Sequence, residues 1–164
     1  SDFQCPFCRR YFTASHQQIL QNYVDSGKVL FVYKHFPLSF HEGAGPYANA
    51  FECAAEQGRG EEMHDKIFEE QEKVGSGTVP YVGDETVKQW AVDLGLDAAQ
   101  FDGCFDSSKY QGKIDLDFSD GAAAGVSGTP TFIIGNDDIG YVSVVGAQPY
   151  SALSQAIEQQ LARV

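Results

Sequence analysis

The chain has 164 residues, the size of one compact domain, and 43% of them are apolar, with 12 Phe and 8 Tyr; that is enough to bury a core and excludes disorder and collagen-like repeats. Eleven Lys and Arg against 23 Asp and Glu leave a net charge of −12, a field that repels phosphate backbones, so nucleic acid is not an expected partner. No apolar run approaches the ~20 residues of a membrane helix. Ser1-Asp2-Phe3-Gln4 has neither a basic nor an apolar signal region, so a signal peptide is expected to be absent or already removed.

Cys5-Pro6-Phe7-Cys8 opens a helical pattern in which Phe12, Ile19, Tyr23 and Val24 approximate one face. Pro6 suits the first turn, where its missing N–H costs nothing, and Ser26-Gly27 stops the helix. The continuous apolar run Val29-Leu30-Phe31-Val32-Tyr33 predicts a strand buried on both faces, which the chain leaves through Phe36-Pro37-Leu38. From about Gly43 to Val126 the pattern is helical. One stripe holds Tyr47, Phe51, Ala54 and Ala55, and Gly58 with Gly60 break it; the next holds Met63, Ile67, Phe68, Gln71 and Val74, with only Gln71 polar. Gly75 to Gly83 reads as a loop. Val87, Trp90, Ala91 and Leu94 fit the i, i+3, i+4, i+7 template, closed by Gly95. Asp97-x-x-Gln100 reads as a capping box before Phe101, Cys104 and Phe105, and a last helical stretch runs from Tyr110 to about Ala124, ending at Gly125. Thr131-Phe132-Ile133-Ile134 and Tyr141-Val142-Ser143-Val144-Val145 predict two strands joined through Gly135-Asn136-Asp137-Asp138. Leu153, Ala156, Ile157, Leu161 and Val164 line one face of a closing helix with Pro149 in its first turn. The order predicts an α/β domain with an all-helical insertion, and no internal repeat or low-complexity linker interrupts it.

Two cysteines separated by two residues at a helix start form a dithiol that can close to a disulfide. The sulfur of Cys5 would lie near the unpaired N–H groups of the first turn, which favour thiolate over thiol and can bring a cysteine from ~8.5 to roughly 3.5–7.5. A stabilised thiolate is also the better leaving group from a mixed disulfide, so Cys5 can both attack and depart, with Cys8 as the resolving thiol. The competing readings are a plain structural disulfide and half of a zinc site. Zinc needs two further ligands, and Cys53, Cys104, His35 and His41 offer none at the tight spacing of a ribbon or finger. Redox chemistry is the reading these features favour.

Gly128-Thr129-Pro130-Thr131-Phe132 places a proline directly ahead of a strand, which reads either as a strand entry or as a cis-proline that leaves Thr129 free to pair with an extended substrate. Three blocks, Asp2-Phe3-Gln4-Cys5-Pro6-Phe7-Cys8, Lys34-His35-Phe36-Pro37-Leu38 and Gly125-Val126-Ser127-Gly128-Thr129-Pro130-Thr131-Phe132, resemble in order the DsbA-like thiol:disulfide oxidoreductases. These are thioredoxin-fold proteins with an inserted helical domain. The resemblance implies a thioredoxin-like domain over residues 1–42 and 127–164, discontinuous around an insertion over 43–126. It also implies that Cys5 is the nucleophile, Cys8 the resolving cysteine, Pro130 a cis-proline, and Pro6, Phe7, Thr129 and Pro130 substrate contacts. Family members carry a strand just before the CxxC motif; only Ser1-Asp2-Phe3 stands there, so that strand is expected to be missing, together with any buried acid it would bring. Lys34 is then the nearest charge that could tune the site, although such a residue is more often merely solvated.

Cys53 and Cys104 both flank apolar stripes, and the residues leave two readings: free buried thiols, or a disulfide joining two helices of the insertion. Resemblance to extracytoplasmic enzymes favours the disulfide. Asp115-x-Asp117-x-Ser119 fails as a calcium loop, since Gly121 is one place late and position twelve is Val126. The four histidines lack HxxxH or HExxH spacing, and His41 and His64 read as helix-surface or capping residues; no metal or organic cofactor is expected. The resulting expectation is a monomeric dithiol oxidase of the periplasm, cell envelope or secreted fraction. It would act on reduced or unfolded substrate proteins, with apolar surface around Phe7 and Pro130 holding them, and a membrane-bound quinone-linked thiol oxidase would reoxidise it, as the resemblance implies. A disulfide isomerase or reductase, and a holdase-like binding protein with a structural CxxC, are the alternatives.

Overall fold

The structure, a computed structural model, describes residues 1–164. Cys5 is extended (φ −73°, ψ 123°) and starts α1 (Pro6–Tyr11), with Pro6 at its first position. The helix continues through a π turn at Phe12–His16, α2 (Gln17–Ile19) and a second π turn at Leu20–Val24. Each π turn adds residues to a turn and so shifts the buried face away from a 3.6-residue period. Ile19 and Tyr23 point inward as expected, but Ser15 and His16 are buried as well.

Five helices follow: α3 (Ala44–Glu56), α4 (Gly60–Val74), α5 (Asp84–Asp93), α6 (Ala98–Asp106) and α7 (Gln111–Ala123). Their apolar stripes meet in one core that includes Tyr47, Met63, Ile67, Phe68, Val87, Phe101 and Ile114, and Phe3, Cys5 and Cys8 belong to the same core. The cysteine motif is thus packed into the helical insertion. Gln71, the polar member of its stripe, is buried because its amide donates to the carbonyls of Phe3 (2.7 Å) and Ile67 (3.1 Å). Half of the Asp97 capping box forms: Asp97 Oδ1 accepts from Gln100 N–H at 2.8 Å, while Asp97 N–H donates to Gln57 Oε1 rather than to Gln100.

The sheet is a two-stranded antiparallel hairpin, β1 (Thr131–Asn136) and β2 (Gly140–Val145), in register from Thr131↔Val145 to Asn136↔Gly140. Gly135 is required there, since a Cβ would sit 2.1 Å from the Gly140 carbonyl oxygen at φ +147°. The closing helix α8 (Tyr150–Leu161) packs Leu153 and Ile157 against Tyr11, Ile19 and Tyr23 in a second, smaller core. Val164 lies beyond its last turn and is exposed, as is Val74 at the end of α4. The arrangement is a thioredoxin-like fold carrying a helical insertion.

One predicted strand does not form. The run from Val29 to Tyr33 is extended but has no ladder, and Leu30 and Val32 are 84% and 62% exposed. A strand needs a hydrogen-bonded neighbour. Within the run Val29 N–H donates back to Tyr23 O (3.1 Å), and just past it Ser1 pairs with the backbone, its nitrogen donating to Lys34 O (2.8 Å) and its carbonyl accepting from Phe36 N–H (2.7 Å). Phe31, Tyr33 and His35 still turn to the interior in the alternation of an extended chain. No strand precedes the CxxC motif within residues 1–4.

Candidate active site

Cys5 and Cys8 are both free thiols and both buried. Their environments differ. The Cys5 thiol donates to the Thr129 carbonyl oxygen at 3.4 Å. Hydrogen bonding from the Cys8 side chain, then from the Thr129 side chain and the Cys8 and Phe7 N–H groups, outweighs the cost of burial and holds Cys5 at about 5, against an ordinary 9.0. Burial, followed by the hydrogen bond to Cys5, pushes Cys8 well above the ordinary thiol value. One turn of helix thus separates a sulfur that ionises readily from one that keeps its proton.

The Thr129–Pro130 bond is cis. Thr129 and Pro130 are both buried, so of the surface expected around Phe7 and Pro130 only Phe7 is displayed, half exposed, with the Arg10 guanidinium 5.1 Å from its ring centroid. Pro6 is half-buried beside it.

Three polar side chains that flank the motif fix the loops around it, and the sequence reading missed all three. Asp2 N–H donates to Cys8 Sγ at 3.5 Å. Its buried carboxylate accepts from Gln4 N–H (2.7 Å) and Leu38 N–H (2.9 Å) and pairs with His41 Nδ1 (2.8 Å). Gln4 donates to Val79 O (2.8 Å) and accepts from Gly43 N–H (2.7 Å). Arg9, buried beside Cys8, donates through Nη2 to Gly75 O (2.6 Å) and Gly77 O (2.9 Å) and pairs through Nε with Glu72 (3.1 Å). Their signal in the sequence was their position, polar residues interleaved with Phe3, Cys5 and Cys8, but position alone names no partner.

Lys34 does not face the thiols. It pairs with Asp117 at 2.6 Å and with Asp120 at 3.6 Å, on the insertion. Burial alone would raise Asp117, but hydrogen bonds from Lys34 and from His35 N–H outweigh it and hold the carboxyl below its usual range. His35 Nε2 and Lys113 both reach the buried Glu52. These ion pairs join the 34–36 segment to α3 and α7. Cys53 and Cys104 are bonded to each other, with Cα atoms 5.8 Å apart, and link α3 to α6. His41 and His64, expected as helix-surface or capping residues, are buried: the Asp2 carboxylate draws in the first, and an aromatic cluster with Phe3, Phe12 and Phe68 encloses the second.

Comparison with known proteins agrees with this geometry. A family model described as thioredoxin matches residues 1–159. The Na(+)/H(+) antiporter NhaA 3 of Salinispora tropica is 32% identical over 135 residues, covering 82% of this chain and 19% of that protein. The thiol:disulfide interchange protein DsbA of Bordetella parapertussis is 24% identical over 133 residues, covering 81% of this chain and 59% of that one. The chain therefore spans about a fifth of the first relative and under two thirds of the second. Among solved structures, alpha-DsbA1 of Wolbachia pipientis superposes with a TM-score of 0.81 at 22% identity, over 99% of this chain and 83% of that one, a likeness of fold. No helix of the structure is long and apolar enough to cross a membrane. The chain belongs to the thioredoxin family, and its fold is like that of the solved DsbA structure.

Proposed function

We propose that this chain is a thiol-disulfide oxidoreductase that works as a dithiol oxidase. A substrate thiolate attacks Cys5 Sγ of the closed Cys5–Cys8 bond; a substrate–Cys5 disulfide forms, and Cys8 leaves as a thiolate that takes up a proton. The second substrate thiolate then attacks the substrate sulfur of that mixed disulfide, and Cys5 departs as a thiolate. The substrate loses two electrons and gains a disulfide; the Cys5–Cys8 pair is reduced. Pro6, Phe7, Thr129 and Pro130 flank the reacting sulfur, and Thr129 pairs with the substrate backbone.

The observation that carries this reading is the inequality of the two thiols. A thiol held at about 5 rather than 9.0 makes the reduced pair more stable at neutral pH, which makes the disulfide the stronger oxidant. It also makes Cys5 the better leaving group of the two. Reduced or unfolded proteins are the substrates in this account, and a membrane-bound quinone-linked thiol oxidase returns the pair to its oxidised state, in an extracytoplasmic compartment. The protein acts as a monomer. Residues 1–42 and 127–164 make up the thioredoxin-like part, around an inserted part over 43–126.

The test is a pair of variants assayed on a reduced model substrate. Cys5→Ser should lose all dithiol oxidation, and Cys8→Ser, with Cys5 first charged by oxidised glutathione, should exchange the glutathione for a substrate thiol and accumulate a mixed disulfide whose peptide map places the substrate on Cys5. Full function in Cys5→Ser would instead indicate a binding protein with a structural CxxC.

A further inference from the structure

Away from the thiols, one cluster of side chains has no role in the chemistry above. His16 and His64 are 6% and 7% exposed, and their rings lie 5.1 Å apart between centroids. Asp65 Oδ1 lies 2.8 Å from His64 Nδ1. One ligand atom from each of the three falls within 4.8 Å of the others. We propose that His16, His64 and Asp65 form a binding site for a borderline divalent transition-metal cation, with Zn²⁺ as its representative.

Three features support a ligand role over simple packing. The first is how His16 reaches the interior: it is the last residue of the Phe12–His16 π turn and faces α4 on the buried side, between Phe12 and Ile19. Such turns recur at functional positions. The second is hydrogen bonding. His16 Nδ1 meets Tyr11 Oη at 3.3 Å, and His64 Nδ1 meets Asp65; each imidazole has one nitrogen engaged and its Nε2 in no hydrogen bond. Each imidazole thus keeps one nitrogen free to take a ligand. The third is the surroundings. Phe31 packs on His16, Phe12 on both rings, and Tyr33 and Phe68 on His64, so aromatic rings wall both imidazoles while the Asp65 carboxylate lies on the solvent side.

Imidazole with carboxylate suits zinc and its neighbours, and three protein ligands leave a further position for water. A Zn–N bond of about 2.1 Å sets tetrahedral ligand separations near ~3.4 Å, so side-chain rotations that draw the three atoms together by roughly 1 Å complete the site. The consequence is mechanical: His16 belongs to the helix that starts at the CxxC motif, and His64 and Asp65 to α4, so the ion would pin that helix to the insertion.

The experiment uses the oxidised protein, in which the closed Cys5–Cys8 bond offers no competing thiolate, so its outcome does not depend on the direction of the redox reaction. After treatment with chelator and desalting, zinc chloride is titrated calorimetrically. The expected result is one Zn²⁺ per chain and a raised melting temperature. His16→Phe and His64→Phe, which preserve the aromatic wall, should each weaken binding by roughly tenfold or more. Absence of zinc binding, or binding of unchanged affinity in the His16→Phe/His64→Phe double variant, overturns the proposal. Should those variants fail to fold, the histidine ring resonances of the unaltered protein decide: those of His16 and His64 shift on zinc addition if the site is real, and bound zinc that leaves both unmoved refutes it.

Discussion

Lowering the pH should remove the special stability of the reduced protein, and the size of the loss follows from Cys5. In the folded reduced state this thiol ionises at about 5, whereas an ordinary one ionises at 9.0. Between those values the folded state binds fewer protons than the unfolded state, so the contribution to stability is complete above about pH 9, shrinks as the pH falls and vanishes below about 5. Integrated over one site, it amounts to about 2.7 kcal/mol at pH 7, about 0.4 at pH 5 and less than ~0.1 at pH 4. Cys8, pushed upward, stays protonated throughout this window and adds nothing. The oxidised protein lacks both titrating thiols and shares every other ionisable group, so the difference in unfolding free energy between the two forms isolates Cys5. Urea unfolding of both forms at parallel pH values from 4 to 8 reads that difference directly. Reduced-minus-oxidised stability should climb by about 2.6 kcal/mol from pH 4 to pH 7. A flat difference across that range would refute the thiolate argument and the oxidising character built on it.

Replacing Cys53 and Cys104 together by Ala opens a loop spanning 51 positions, a loss of about 4 kcal/mol in the chain-entropy account; an unchanged urea midpoint would show that the bond contributes nothing. Arg9→Met keeps the stem but loses the donors to Gly75 and Gly77 and the pair with Glu72. It should destabilise by roughly 2–3 kcal/mol and speed amide exchange in the loop that Gly75–Val79 begins, and protection there equal to the unaltered protein would contradict it.

What could be seen in the sequence was whatever is decided locally. Pro6 after Cys5 marks a helix start because proline tolerates the first turn, and Gly125 marks a helix end; both effects span a few residues. The Asn136-Asp137-Asp138 turn and the stripes of Met63, Ile67 and Phe68 are legible for the same reason. Features that depend on distant partners were not. Val29 to Tyr33 has the composition of a buried strand, but a ladder needs a neighbour that composition does not name. For Cys53 and Cys104 the residues alone left two readings and only the resemblance favoured the disulfide, which the packing of α3 on α6 forms. His16 and His64 are far apart in the chain, and nothing local says that their helices bring the two rings together. Asp2, Gln4 and Arg9 carry no local signal of a role, and only their buried partners, the Leu38, Gly43, Gly75 and Val79 backbones, reveal them as the frame of the site.

The direction of the redox reaction is the central claim, and the equilibrium reduction potential of Cys5–Cys8 tests it most directly, by alkylation and mass spectrometry across glutathione buffers. The shift of Cys5 from 9.0 to about 5 alone raises the potential by about 60 mV at pH 7, and the account predicts a value well towards the −120 mV or so of DsbA. A value near the −270 mV or so of thioredoxin would make the chain a reductase and contradict the account.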